Sequence, residues 1–208
     1  MEYSIPAIEQ PERCEKRNFI SSPFVELIDG NEISVKMQYP LLGMKNAEKK
    51  CLLRKEVRDL LLLAQKQLPT GLRFRIWDAW RPFALQEELF YFYAQIIIKE
   101  FQLADLPEEL QKREISKYVA LPVRDTICPP AHTTGGAIDL TLIDRDGNEL
   151  NMGTAFDAFT QATHTDFYEE TDEDIIKQNR RILYSAMTSV GFTNLPSEWW
   201  HYSTFTDF

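Results

Sequence analysis

His132-Thr-Thr-Gly-Gly-Ala-Ile-Asp139, continuing through Leu140-Thr-Leu-Ile143, is the stretch on which the fold turns. Residues 137–143 alternate well enough to predict a strand with Asp139 near its start. Gly135 and Gly136 permit a tight turn, or a positive φ, immediately before it. Such a turn folds His132 back beside Asp139, so that one nitrogen and one oxygen ligand face the same point. A mixed set of this kind suits zinc, whose catalytic sites take three protein ligands and keep a further position open. The third ligand must come from elsewhere, and the chain has 3 histidines in all: His132, His164 and His201. His201 closes the second informative stretch, Glu198-Trp-Trp-His201. The predicted metal set is therefore His132, Asp139 and His201.

Glu198 stands beside that set in sequence and could take a proton from the attacking water and pass it to a leaving amine. Strand alternation opposes this pairing, because residues three apart point to opposite faces. A bulge or a strand end must re-aim one of them. Arg81 follows a strand-like run, Leu72-Arg-Phe-Arg-Ile-Trp77, and precedes Pro82. A guanidinium at a strand end could be aimed at an oxyanion; the alternative is a surface arginine paired with one of many acids. Asp157 could hold a substrate ammonium or cap a turn. His164 could support the site or lie on the surface. Trp199 and Trp200 are expected to straddle the last strand, one in the core and one lining the cleft, whereas Trp77 and Trp80 suit the core. Cys128 lies near His132, but nothing around it suggests an activated thiol.

The 208 residues suit one domain with a real core, and 44% hydrophobic and 12% aromatic content places the chain among globular rather than disordered sequences. A formal net charge of -9 argues against nucleic acid or an anionic membrane as partner. No apolar run approaches a membrane span, and the start, Met1-Glu-Tyr-Ser-Ile-Pro6, lacks the pattern of a secretory leader. Cys14, Cys51 and Cys128 are odd in number and widely spaced, which favours free thiols in a reducing compartment and hence a cytoplasmic location.

Residues 1–22 are polar and proline-containing and read as an extended arm; residues 23–208 read as the domain. Two short strands, 24–28 and 33–37, are predicted around the turn at Asp29-Gly-Asn31. Apolar spacing predicts a helix from Asn46 to Gln67, ended by Pro69-Thr-Gly71. A strand at 72–77, a buried helix at about 83–100 and a short polar helix within 105–119 follow. A proline-rich loop, 121–131, then delivers the chain to His132. A last helix over 172–190 carries Ile175, Ile176, Ile182, Leu183 and Met187 on one face, and 198–202 forms the final strand. Helices and strands mix without a βαβ rhythm, so the predicted class is α+β with a central antiparallel sheet flanked by helices.

Taken together in this order, these motifs resemble the zinc D,D-peptidases of the VanX and VanY superfamily. They are His132-x-x-Gly135-x-Ala137-x-Asp139, Glu198-x-Trp200-His201, Trp77-Asp-Ala-Trp-Arg-Pro82 and Met152-Gly-Thr-Ala-Phe-Asp157. The likeness runs from about residue 72 to 202 and is strongest to the VanX-type D-alanyl-D-alanine dipeptidases. The resemblance implies one zinc ion per chain on His132, Asp139 and His201, with Glu198 as general base and Arg81 stabilising the transition state. It implies a compact α+β domain of the D,D-peptidase/hedgehog-like kind, with the zinc site in a cleft. The implied substrate is a dipeptide of two D-alanines whose free amino end meets Asp157, with Trp200 as a further substrate contact. Two rival readings keep the same metal set: a cell-wall D,D-carboxypeptidase or endolysin-like peptidase taking longer stem peptides, and a non-catalytic zinc-containing binding module. One departure stands out. Pro130-Ala131 replaces the serines usual before the first histidine, removing a hydroxyl that could contact the substrate carboxylate.

Overall fold

The expected strand forms as Ala137–Ile143 and is buried along its whole length. In the computed structural model, which describes residues 4–7, 22–30, 32–124 and 129–204, this is the fifth strand of the chain, β5. It lies between β4 (Arg73–Asp78) and β7 (Glu198–Ser203), antiparallel to both. The sheet is completed by β2 (Ser34–Val35) outside β4 and β6 (Thr193–Leu195) outside β7, giving the order β2-β4-β5-β7-β6. The β2–β4 pairing is parallel, an exception at one edge of an otherwise antiparallel sheet. A separate pair joins β1 (Phe24–Leu27) to β3 (Cys51–Arg54).

Two layers of apolar side chains hold this sheet. Ile138, Leu140 and Leu142 of β5 and Phe74 and Ile76 of β4 pack against α2 (Lys55–Gln65) and α5 (Asp174–Thr188), through Leu61, Ala64, Leu183, Ala186 and Met187. Full burial of each such side chain is worth roughly 1.5–3 kcal/mol. A second cluster joins Tyr39 of the short α1 (Gln38–Leu41) to α3 (Phe83–Glu100) and to Ile115 of α4 (Glu108–Ile115). Because strand side chains alternate, Asp139 points away from the face that packs on α2 and α5. It opens instead toward the side where the second cluster lies, and that is where the cleft forms.

Several expectations are corrected. Residues 24–28 and 33–37 do not form a hairpin with each other: β1 pairs with β3, and β2 pairs with β4. The turn signal at Asp29-Gly30 is local, whereas the partners are chosen by burial of Leu53 and Ile76. The helix predicted from Asn46 begins only at Lys55, because Cys51–Arg54 are taken up by β3. Ile175 is 73% exposed and does not share the buried face of α5. Strand β6 was not anticipated. Most of the arm expected over residues 1–22, and Cys14 and Cys128, lie outside the described residues. Among the described residues no helix is long and apolar enough to cross a membrane.

Candidate active site

Strand register assembles the centre of the site. Asp78 pairs with Asp139 across β4 and β5, and Asp139 pairs with His201 across β5 and β7, so three polar residues lie in one row across the sheet. His132 joins the row from a 3-10 turn, Ala131–Thr134. That turn is closed by hydrogen bonds from Thr133 N to Pro130 O (3.0 Å) and from the Thr134 hydroxyl to Ala131 O (2.6 Å). Arg54 secures its far end, donating from Nε to Thr134 O (2.9 Å) and from its backbone N–H to Gly135 O (3.1 Å). Gly135 then turns the chain into β5 with φ +76°, a conformation L side chains avoid, and any Cβ there would collide with the Phe24 ring.

The three expected ligands meet. His132 Nε2 lies 3.1 Å from His201 Nδ1 and 3.3 Å from Asp139 Oδ1, and His201 Nδ1 lies 3.0 Å from Asp139 Oδ1. A tetrahedral metal with bonds of about 2.0–2.1 Å has ligand–ligand edges of about 3.3 Å, so these separations suit an ion the size of zinc. Tautomer chemistry agrees. His132 Nδ1 donates to Ala79 O at 2.7 Å, which leaves Nε2 with its lone pair toward the cluster. The donor set therefore fits a divalent cation. Burial opposes ionisation of Asp139, but His132 and His201 outweigh it and hold its pKa well below the usual range. Burial likewise opposes charge on His201, but its hydrogen bond to Asp139 raises its pKa.

Glu198 reaches the same point, with Oε2 3.9 Å from His201 Nδ1. Its position at the first residue of β7, beside a break in the β6–β7 register, resolves the alternation conflict. Burial pushes its pKa up to about 8, the Asp139 and Asp157 charges adding to the rise. A bound cation would pull it back down. Arg81 is not a surface residue. It is 8% exposed and donates to Asp78 Oδ2 from Nε (2.9 Å) and Nη2 (2.7 Å), and to Gln86 Oε1 from Nη1 (2.8 Å). Its Nη2 lies 3.7 Å from Asp139.

Asp157 lies at the cleft wall with φ +53°, its Oδ2 accepting from the hydroxyls of Tyr39 (3.0 Å) and Tyr93 (2.7 Å). Burial, with the Asp139 charge adding to it, raises its pKa to about 6 against the pull of those hydrogen bonds and of Arg81. A cavity of about 650 Å³ joins Arg81, Asp157, Glu198 and the three ligands. A smaller one of about 180 Å³ adjoins it, lined by Trp200, Asp157, Glu198 and His164.

Residues 40–207 match the peptidase M15 family, described as D-ala-D-ala dipeptidase. The chain belongs to this family. It is similar to the D-alanyl-D-alanine dipeptidase of Synechocystis sp. (strain ATCC 27184 / PCC 6803 / Kazusa), 30% identical over 142 residues, covering 62% of this chain and 58% of that protein. The protein of that name from Escherichia coli (strain K12) is 33% identical over 155 residues, 74% of this chain and 66% of that one. The one from Enterococcus faecium is 33% identical over 150 residues, 71% of this chain and 70% of its own length. The chain thus spans less than two thirds of the first two relatives.

Of the two tryptophans expected to divide between core and cleft, Trp200 lines the smaller cavity beside Glu198 and Asp157 whereas Trp199 lines neither cavity, although both are buried. Both sit in the main core cluster, 1% and 2% exposed. Trp77 is in the core, as anticipated from its type, while Trp80 donates from Nε1 to Thr133 O (3.2 Å) and props the His132 turn. His164 is exposed, lines the smaller cavity with Glu198 and Asp157, and is not part of the three-residue cluster. Sequence reasoning passed over Asp78, Tyr39, Tyr93 and Gln86. Asp78 alone left a signal, an acid three residues before Arg81 at a strand end.

Proposed function

We propose that this chain is a zinc-dependent dipeptidase, one peptidase domain over residues 23–208, that hydrolyses D-alanyl-D-alanine to free D-alanine. The observation that carries the reading is the meeting of His132, Asp139 and His201 in one buried cluster with Glu198 beside it. A single zinc ion held by those three side chains would supply Lewis acidity toward the scissile carbonyl and acidify a water molecule. Glu198 accepts the proton from the attacking water and returns it to the departing amine. Arg81, held by Asp78 and Gln86, offers a fixed positive charge to the developing oxyanion at no cost of reorganisation. Asp157 receives the free ammonium of the substrate. Its two tyrosine hydroxyls keep the carboxylate turned to one place, so that the peptide bond falls between Glu198 and Arg81.

A second reading has one observation in its favour. The cavity of about 650 Å³ is roomy for two alanines, and its outer wall is apolar, with Leu89, Val119, Leu121 and Phe159. That favours substrates longer or bulkier than the dipeptide, as a D,D-carboxypeptidase or endolysin-like peptidase would take. A non-catalytic binding module is disfavoured by Glu198 and Arg81, since a binder needs ligands but no base. Cytoplasmic residence belongs to the same proposal and rests on the odd number and wide spacing of the 3 cysteines.

The test is release of free D-alanine from D-alanyl-D-alanine, with and without a zinc chelator, beside the N-acetylated dipeptide and a stem pentapeptide. Chelator-sensitive cleavage restricted to the free dipeptide supports the first reading. Preference for blocked or longer peptides supports the second, and zinc binding with no cleavage of any substrate overturns both.

A further inference from the structure

Strands β6 and β7 run in register from Thr193–Ser203 to Asn194–Tyr202, but the next pairing joins Leu195 to Glu198. Trp199, Trp200 and His201 therefore have no counterpart on β6. A bulge of this kind interrupts the ladder and leaves backbone groups to be satisfied by other means. One side chain does so on both flanks of the break. Asn194 Nδ2 donates to the backbone carbonyl of Glu198 (3.1 Å) and to that of His201 (3.0 Å). An amide nitrogen has two hydrogens, and both are used.

The amide is itself oriented. Asn194 Oδ1 accepts from the Thr165 hydroxyl at 2.6 Å, and the Thr165 backbone N–H donates to Pro196 O at 2.9 Å. Thr165 is 1% exposed and Asn194 6%. Flipping the amide would aim Oδ1 at two carbonyl oxygens, which can only accept, so those carbonyls select the observed orientation and the Thr165 hydroxyl holds it by donating to Oδ1. We propose that Asn194, held by Thr165, is a positioning residue that sets the placement of the Glu198 carboxylate relative to the ligand His201. It touches neither substrate nor metal. It acts by fixing the two peptide units from which those side chains spring, and so holds on one side of β7 two residues that a regular strand would separate. The proposal rests on the reading of Glu198 as base and His201 as ligand.

The test uses the full chain, wild type and the variants Asn194→Ala, Asn194→Asp, Thr165→Val and Thr165→Ser. Zinc Kd is measured by chelator competition, kcat and KM on D-alanyl-D-alanine, and Tm on the metal-free protein. Asn194→Asp keeps the shape of the side chain but has no hydrogens for the two carbonyls when ionised. Both Asn194 variants are expected to weaken zinc binding and lower kcat by roughly 10- to 100-fold, the range for residues that orient a metal ligand, with KM near the wild-type value. Thr165→Val follows in the same direction, and Thr165→Ser restores both quantities. Folded Asn194 variants with wild-type Kd and kcat but a lowered Tm would reduce the contact to a structural one and overturn the proposal. Should the Asn194 variants not fold, the Thr165 pair decides: equal Kd and kcat in the valine and serine variants also overturns it. A wild-type chain that neither binds zinc nor cleaves the dipeptide removes the functional reading and this proposal with it. An active wild type with unaffected variants removes this proposal alone.

Discussion

Arg81 gives both Nε and Nη2 to a single oxygen of Asp78, at 2.9 and 2.7 Å. The remaining nitrogen, Nη1, goes to Gln86, and Nη2 also reaches the Tyr39 hydroxyl at 3.2 Å. The guanidinium is thereby locked in orientation beside Asp139 rather than free to swing. That hydroxyl in turn donates to Asp157, so Arg81 and Asp157 are joined by one chain of hydrogen bonds.

Arg81→Lys is predicted to lower kcat by roughly 10²–10³-fold with zinc still bound, because an ammonium cannot reproduce the fork to Asp78. Asp78→Ala is predicted to cost about 3–5 kcal/mol of stability, since it strands a buried cation. Steady-state kinetics and urea unfolding check the two; wild-type kcat in the lysine variant would refute the role given to Arg81.

Glu198→Gln should retain zinc, which it does not ligate on the proposed reading, while losing roughly 10²–10⁴-fold in kcat. Metal content and turnover measured on the same preparation decide the matter. Loss of the metal together with activity would make Glu198 a ligand rather than a base.

Asp157, with its pKa raised to about 6, must be ionised to receive an ammonium. KM for the free dipeptide is therefore predicted to rise as pH falls through about 6, and KM for the N-acetylated dipeptide to show no such trend. The linkage has a definite sign. A carboxyl whose pKa is raised on folding binds more protons in the native state, so it makes stability fall as pH rises from the usual carboxylate range to about 6. Asp157→Asn should abolish the KM trend and lessen this stability slope, the part due to Glu198, whose pKa is raised to about 8, remaining; persistence of the KM trend in the variant counts against the assignment.

Gly135→Ala is predicted to destabilise the protein by about 1–3 kcal/mol through its positive φ alone, with the collision against Phe24 adding to it. The same change displaces the turn that carries His132, so zinc affinity should fall with Tm. A variant with wild-type zinc affinity would separate the turn from the metal site.

The meeting of His132, Asp139 and His201 was legible because their chemistry is scarce in this chain: two of 3 histidines fall in stretches with an acid, and glycines stand where the chain must reverse. The central strand was legible from its apolar run. What escaped depends on partners distant in sequence. Cys51–Arg54 carry apolar residues that suit a helix equally well, and only the pairing with Phe24–Leu27 makes them a strand. The conflict between Glu198 and His201 was visible, and so was its remedy, a bulge or a strand end; the side chains that brace the break were not, because Asn194 and Thr165 carry no local signal and meet only when β6 and β7 are paired.

The row Asp78–Asp139–His201 spans β4, β5 and β7, and each of its members is supplied by a different segment of the chain. A slip of one residue in β5 would turn Asp139 to the apolar face and present Ile138 or Leu140 in its place. A sheet misregistered at β5 would not bring Asp139 beside His201 and His132. On the proposed reading, an ion held by His132, Asp139 and His201 would stabilise only molecules in which β5 and β7 have paired in this register, so binding would select the correctly aligned sheet.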